Sequence, residues 1–363
     1  MMRNVLITAS LCLLAACAAN PKKNEVAKPA PAPVQTPVVT PAPTVPAPAP
    51  AIDATPPMLP AEKIALFVTD TSKKFGIPEN EIRATLAQAQ YRQSIIDAIT
   101  RPAEAKPWKT YRPIFLTEAR INNGRKFLAE HRVELQRVQD RTGVPAEIIV
   151  AIIGVETSYG GNMGNYKVLD ALYTLGFYYP KREAFFSSEL AHLFQLSRVE
   201  NFDIQQLKGS YAGAMGYGQF MPSSYLNYAK DGDNDGRRNL FGNLDDVFSS
   251  VANYFVGHGW QKGEPVFVRA SMDSAALPFV PDGLEAKYSL AELAQKGYRP
   301  ISNVPDLPAT LLTLDGSEGT EHWIGFKNFY VITRYNRSPL YAMSVYQLAQ
   351  AIAEPVSITP VAQ

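Results

Sequence analysis

The chemistry of the chain changes abruptly at residue 61, and this break limits what can fold. Thirteen of the 29 Pro in these 363 residues fall between Pro21 and Pro60, and neither Gly nor an aromatic residue precedes Ala61. A stretch of Pro, Ala, Val and Thr, with runs such as Pro46-Ala47-Pro48-Ala49-Pro50, cannot bury enough apolar surface to pack. It is expected to be an extended, semi-rigid spacer, reaching on the order of 100 Å at ~3.1 Å per residue. All 23 Gly and all 18 Tyr, 17 Phe and 3 Trp follow it, so any core is built from Ala61 onward.

The net charge of +1 hides the same division. Setting aside Arg3, Lys22, Lys23, Lys28, Glu25 and Asp53 leaves 31 basic and 32 acidic residues in the body. A near-neutral body excludes a strongly basic nucleic-acid surface, and no nucleic-acid partner is expected. Residues 1–16 read as a secretory signal, with Arg3, an apolar run from Val5 to Leu14, and then Ala15 and Ala16. The run is too short to span a bilayer. The only Cys besides Cys17 is Cys12, inside the signal, so the mature chain can form no internal disulfide. Leu14-Ala15-Ala16-Cys17 resembles the lipobox of bacterial lipoproteins. That resemblance implies lipidation at Cys17 and membrane attachment through the lipid, with residues 17–60 as anchor and linker. Ala18, where no Asp stands, points by the same resemblance to the outer membrane, facing the periplasm.

Past the break, apolar residues recur at helical spacing over Glu62–Phe75, Glu79–Gln90, Thr117–Thr142, Pro145–Thr157 and Arg182–Glu200, and again over Val247–Val256. From Pro265 the texture changes to short β-like runs, Val266–Val268, Thr310–Leu314 and Phe329–Thr333, divided by Pro, Gly and Asp. A last helix is expected over Ala342–Ala353. The fold class is α+β, helix-dominated, with a small β domain inserted late.

One acidic residue breaks a local rule. In Val144-Pro-Ala-Glu-Ile-Ile-Val-Ala-Ile-Ile-Gly-Val-Glu156-Thr-Ser-Tyr-Gly-Gly161, Pro145 suits a first helical turn and Gly160-Gly161 stops the helix. Glu156 shares a face with Ile149, Ile152 and Ile153, in the last turn. Desolvation and the negative end of the helix dipole both raise the pKa of a carboxyl there, as a general acid at neutral pH requires. The alternative is a Glu that reaches solvent as the helix ends. A second carboxylate for glycoside cleavage is not evident: Asp170 reads as a helix N-cap, and Glu183 and Glu189 read as solvent-facing positions of an amphipathic helix.

Asp231-Gly-Asp233-Asn-Asp235-Gly236-Arg237 spaces side-chain oxygens alternately before a sharp Gly turn, the first half of an EF-hand loop. Gly242 stands at its twelfth position where Glu is expected, and Arg238 stands where an apolar residue is usual. Asp245, fourteen residues after Asp231, could close the coordination sphere. The four His (His131, His192, His258, His322) are scattered, so other metals are poorly supported.

Several stretches together resemble the membrane-bound lytic transglycosylase B family of peptidoglycan-cleaving enzymes. They are Tyr111-Arg-Pro-Ile-Phe-Leu-Thr, Gly154-Val-Glu156-Thr-Ser-Tyr-Gly, Ser210-Tyr-Ala-Gly-Ala-Met-Gly-Tyr-Gly-Gln219-Phe-Met-Pro-Ser-Ser, the Asp231 loop and Asn328-Phe-Tyr-Val-Ile-Thr-Arg-Tyr335-Asn336-Arg-Ser. The resemblance implies a lysozyme-like core over residues 136–260, flanked by an α domain (61–135 and 337–355) and a small antiparallel β domain (261–336). It implies cleavage of the β-1,4 bond between N-acetylmuramic acid and N-acetylglucosamine, with the muramyl 6-hydroxyl closing on its own anomeric carbon to leave a 1,6-anhydro end. One carboxyl group suffices, first as acid and then as base, which suits the missing second carboxylate.

Carried onto this chain, Glu156 is the acid/base, and Ser210 orients the carboxyl or the muramyl N-acetyl group. Gln219, Tyr111, Tyr254, Tyr335, Asn336 and Tyr341 line the glycan groove. Asp231, Asp233, Asp235, Asp245 and the Arg237 carbonyl hold a structural calcium ion, and no organic cofactor is implied. The enzyme is expected to act as a monomer on glycan strands. Two other readings stay open: a muramidase hydrolysing the same bond, and a non-catalytic peptidoglycan-binding lipoprotein.

Overall fold

The computed structural model describes residues 61–101 and 106–354. The signal segment, Cys17, the linker to residue 60 and the tail after 354 lie outside the described residues. Helices come first: α1 (Ala61–Phe75), α2 (Glu79–Leu86), α3 (Gln93–Thr100), α4 (Trp108–Phe115), α5 (Glu118–Glu130), α6 (Arg132–Thr142) and α7 (Ala146–Thr157). A two-residue ladder pairs β1 (Tyr166–Lys167) with β2 (Lys208–Gly209), enclosing α8 (Val168–Tyr178) and α9 (Glu183–Glu200). α10 (Pro222–Tyr228) and α11 (Leu244–Gly257) follow. Then come β3 (Phe267–Met272), α12 (Leu290–Gln295), β4 (Tyr298–Pro300), β5 (Thr310–Gly316), β6 (Gly319–Gly325), α13 (Lys327–Tyr335) and α14 (Pro339–Ala353).

The hydrophobic pattern explains which helix is central. Nine of the twelve residues of α7, including the run from Ile148 to Val155, are buried, as befits a helix that is apolar all round. α5, α6, α11 and α14 pack around it, so the last described helix returns onto α5 and α7. The larger sheet is antiparallel in the order β4-β3-β6-β5, with β5 and β6 joined by a tight hairpin in which Gly316 faces Gly319. Period-two alternation sends its two faces to different cores. Leu312 and Leu314 join the main helical core, whereas Leu311, Ile324 and Val268 close a second core with Leu293 of α12 and Tyr298 of β4.

Several expectations are corrected. The expected single helix Thr117–Thr142 breaks at His131 (φ −111°), whose ring packs on Phe127 and Phe248 at 4.7 and 5.7 Å. The break lets α6 tie to α11 through Arg137 to Asp245 (3.2 Å) and Arg141 to Ser249 (3.0 Å). Phe329–Thr333, read as a strand, lies inside helix α13; a short apolar run has no period that separates the two states. Asp170 is not an N-cap. It is the third residue of α8 and buried, where it accepts from the Gln90 amide at 2.9 Å and from Arg92 at 3.2 Å. Glu189 does not face solvent: it is buried and caps α10, accepting from Ser223 N (2.9 Å) and Ser223 Oγ (2.7 Å). Glu183 is half-buried and paired with Lys63 at 2.8 Å.

Candidate active site

Glu156 sits in the last turn of α7, and the helix stops earlier than the Gly pair, at Ser158 (φ 50°) and Tyr159 (φ 63°). Two consecutive non-Gly residues in the left-handed region are unusual and need an external hold. Arg120 supplies one, reaching Ser158 Oγ at 3.1 Å and the Ile114 carbonyl at 2.6 Å. Tyr159 supplies another. Its hydroxyl donates to the Arg120 carbonyl at 2.8 Å, and its ring is wedged between α5 and α7 where Gly124 and Gly154 have no side chains. A Cβ on Gly154 would stand 2.6 Å from the Tyr159 hydroxyl, so this mid-helix glycine has a packing reason.

Tyr341, from the first turn of α14, donates to Glu156 Oε1 at 2.6 Å. Tyr335, at the end of α13, donates to the Gly218 carbonyl at 2.6 Å and so ties the Gly-rich loop to the same place. Tyr111, on α4, is buried, and its hydroxyl has no hydrogen-bond partner among the described residues. The phenols of Tyr111, Tyr335 and Tyr341 all have pKa values raised by burial first and by the Glu156 carboxylate second, so they stay neutral beside it. Glu156 keeps partial contact with solvent, yet desolvation pushes its pKa from 4.5 to about 7, with the Tyr341 hydrogen bond opposing the rise. No carboxylate contributes to that shift among the described residues. The site therefore holds an acid that keeps a substantial protonated fraction at neutral pH and whose anion has a donor already in place.

The other expected groove residues divide. Gln219 lies at the tip of the Gly-rich loop in a left-handed conformation (φ 51°), its amide donating to the Met163 and Gly216 carbonyls at 3.2 and 3.0 Å. Ser210 braces its own loop, accepting from Ala214 N at 3.0 Å and Ala212 N at 3.3 Å. Buried Asn336 accepts from Ser338 N at 3.0 Å, ahead of the Ser338 N-cap of α14. Tyr254, on α11, is half-buried and turned to α13. Its hydroxyl donates to the Arg334 carbonyl at 2.7 Å, and its ring is stacked on His258 at 4.2 Å and packed on Tyr335 at 4.7 Å.

In the acidic loop, oxygens of Asp231, Asp233 and Asp246 lie within 4.8 Å of one another. Asp245 is turned to Arg137 at 3.2 Å. Buried Asp246 accepts from Gly232 N and Asn239 N, both at 2.7 Å, and so joins the two ends of the loop. Sequence reading missed Asp246, although it shares an inward helix face with buried Ser249 and Ser250. Arg238, the departure from the EF-hand pattern, pairs with the nearly buried Glu200 of α9, which explains a charged residue at that position.

An acid partly screened from water and surrounded by phenols thus stands at the end of a central apolar helix, beside a Gly-rich loop. The chain matches the transglycosylase SLT domain over residues 61–350 and belongs to that family. It is 43% identical over 298 residues, 79% of this chain and 81% of the relative, to the membrane-bound lytic murein transglycosylase B of Escherichia coli. The structure of the catenated lytic transglycosylase SltB1 of Pseudomonas aeruginosa superposes with a TM-score of 0.77 at 47% identity, covering 81% of this chain and 98% of that one. The Escherichia coli lytic transglycosylase Slt35 in complex with calcium superposes with a TM-score of 0.73 at 43% identity, covering 80% and 92%. These neighbours share the helix-dominated, lysozyme-like fold.

Proposed function

We infer that this protein is a lytic murein transglycosylase, cleaving the β-1,4 bond between N-acetylmuramic acid and N-acetylglucosamine and leaving 1,6-anhydro ends. The observation that carries this reading is the lone acid Glu156, raised to about 7 and hydrogen-bonded to Tyr341. Protonated Glu156 gives its proton to the departing glycosidic oxygen, and the Tyr341 hydroxyl stabilises the carboxylate that results. That carboxylate then takes the proton of the muramyl 6-hydroxyl as the oxygen closes on the anomeric carbon. A retaining hydrolase would need a second carboxylate roughly 5–5.5 Å away as nucleophile. Tyr111, Tyr335, Tyr341 and Gln219 line the groove in this reading, with Ser210 and Asn336 shaping its loops and Tyr254 supporting Tyr335 from behind.

Mass spectrometry of the fragments released from murein by the full chain tests the assignment. Anhydro ends are expected. Reducing ends would convert the reading to a muramidase, and murein binding without fragments to a non-catalytic wall-binding protein.

We further propose that the acidic loop holds calcium. The donor set fits a hard cation: three carboxylates converge, with Asp235 and the Arg237 carbonyl on the same turn and Asp245 beside them. Bound there, the ion would supply structural charge neutralisation and take no part in the bond cleavage. The segmentation expected from sequence is kept as part of this reading, supported by the separate apolar core within 261–336 and by the return of α14 onto α5 and α7. Lipidation at Cys17 and an outer-membrane, periplasm-facing location are proposed from the lipobox-like residues. Among the described residues no helix is long and apolar enough to cross a membrane.

A further inference from the structure

Thr157 follows the catalytic acid and is wholly buried, yet its side chain serves two segments. Its hydroxyl lies 3.1 Å from the Ile153 carbonyl, the ordinary acceptor one turn back, and 3.0 Å from the Tyr217 carbonyl in the Gly-rich loop. It also accepts from Gly160 N at 3.0 Å, while the Thr157 carbonyl accepts from Asn162 N at 2.9 Å. One residue thus fastens the turn after Glu156 to the loop that carries Gln219.

The same loop is fastened from its far side. Tyr217 N donates to the Leu240 carbonyl at 2.9 Å, and Gly216 (φ 68°) has no room for a Cβ, which would stand 2.4 Å from that carbonyl oxygen. Leu240 N in turn donates to the buried Tyr225 hydroxyl at 3.1 Å, and the Tyr225 hydroxyl donates to the Arg238 carbonyl. The neighbouring Asn239 N is held by Asp246, a member of the acidic cluster. Three consecutive hydrogen bonds, Asp246 to Asn239, Leu240 to Tyr217 and Tyr217 to Thr157, therefore link the acidic loop to the turn beside Glu156.

We propose that Thr157 is the positioning residue through which the acidic loop and the glycan groove are coupled, so that each ligand raises the affinity for the other. An ion bound at Asp246 and its neighbours stiffens a loop that hydrogen bonds already shape, and so removes residual freedom that the Gly-rich tip would otherwise lose when a saccharide docks. Linkage makes the effect reciprocal. The inference rests on the calcium and groove readings above.

Calorimetry on the full chain in detergent tests it, titrating calcium chloride with and without a saturating β-1,4-linked N-acetylglucosamine tetrasaccharide. Calcium binding about fivefold tighter in the presence of the saccharide, and the same factor in the reverse titration, is expected. Thr157→Val keeps the volume and removes the hydroxyl: each ligand should still bind, with the coupling factor falling to about one. Thr157→Ser should restore it. A purely structural role would lower the melting temperature or both single affinities and leave the factor unchanged, which would overturn the proposal. A wild-type factor of one with both ligands bound singly would also overturn it. No calcium heat in the wild type would sink the ion reading, and no saccharide heat the groove reading; either takes the coupling with it. If Thr157→Val does not fold by circular dichroism, Thr157→Ala replaces it, and the wild-type cycle decides on its own.

Discussion

Glu156 faces two opposing influences of unequal size. Burial favours its neutral form and Tyr341 favours its anion, and burial wins, leaving the pKa at about 7. Activity should therefore fall as pH rises through about 7, where the acid is lost. Tyr341→Phe removes the donor that stabilises the anion, so the alkaline limb should move to higher pH while the maximal rate drops. A limb that stays in place or moves down in a pH-rate profile would remove Tyr341 from this role. Stability carries the opposite face of the same shift. The folded state holds a proton on Glu156 between the unfolded value near 4.5 and about 7. Its contribution is thus fully present at low pH and is lost as pH rises through that window. Glu156→Gln has no such loss and should be more stable than the wild type at pH 8, by about 2 kcal/mol after allowing for partial solvent contact, and nearly equal at pH 4. Urea unfolding at the two pH values checks this.

At the scale of elements, α7 shows how far pattern reading reaches. Its all-round apolar character and the one acid at its end were legible, because burial and the polar exception both lie in consecutive residues. The reason for Gly154 was not, since it depends on Tyr159 folding back after the helix and on Gly124 of α5. Gly→Ala inside an open helix stabilises by about 1 kcal/mol. Here the sign should reverse: Gly154→Ala should cost about 1–3 kcal/mol by overpacking against Tyr159. Adding Tyr159→Leu should recover part of the loss in a double-mutant cycle by denaturant unfolding. Additive losses would show that the ring and the glycine are not coupled. The same limit on local pattern explains α13, where a short run of four apolar residues and a Thr fits a strand as well as a helix, and β6, whose mixed polarity hid a strand between two cores. Glu189 and Asp170 misled for a related reason. The first reads as solvent-facing and the second as an N-cap, and each is buried because a distant segment brings donors to it, Ser223 to the first and Gln90 with Arg92 to the second.

At the scale of the molecule, the acidic loop occupies a junction. It joins α10 to α11, and α11 packs on α6 and α7, so whatever orders the loop stabilises the helices around the Glu156 turn. The loop does not depend on an ion for its shape: Asp246 ties its ends, the Glu200 and Arg238 pair anchors its middle, and Asn243 caps α11 while donating to Asp233 at 2.9 Å. An ion should therefore add stability without being required for folding. Binding to the folded state alone contributes RT ln(1 + [L]/Kd), about 2.7 kcal/mol at a hundredfold excess over Kd. For a body of this size each kcal/mol corresponds to roughly 2–4 °C. Millimolar calcium should accordingly raise the melting temperature by several degrees over EDTA, with the protein folded at room temperature in both and magnesium, which dehydrates reluctantly, giving a smaller shift. Asp231→Asn with Asp233→Asn should melt alike in calcium and in EDTA, because the cluster that distinguishes the two conditions is gone. Identical melting curves for the wild type in both would remove the ion from this fold and leave the loop as a hydrogen-bonded corner between two helices.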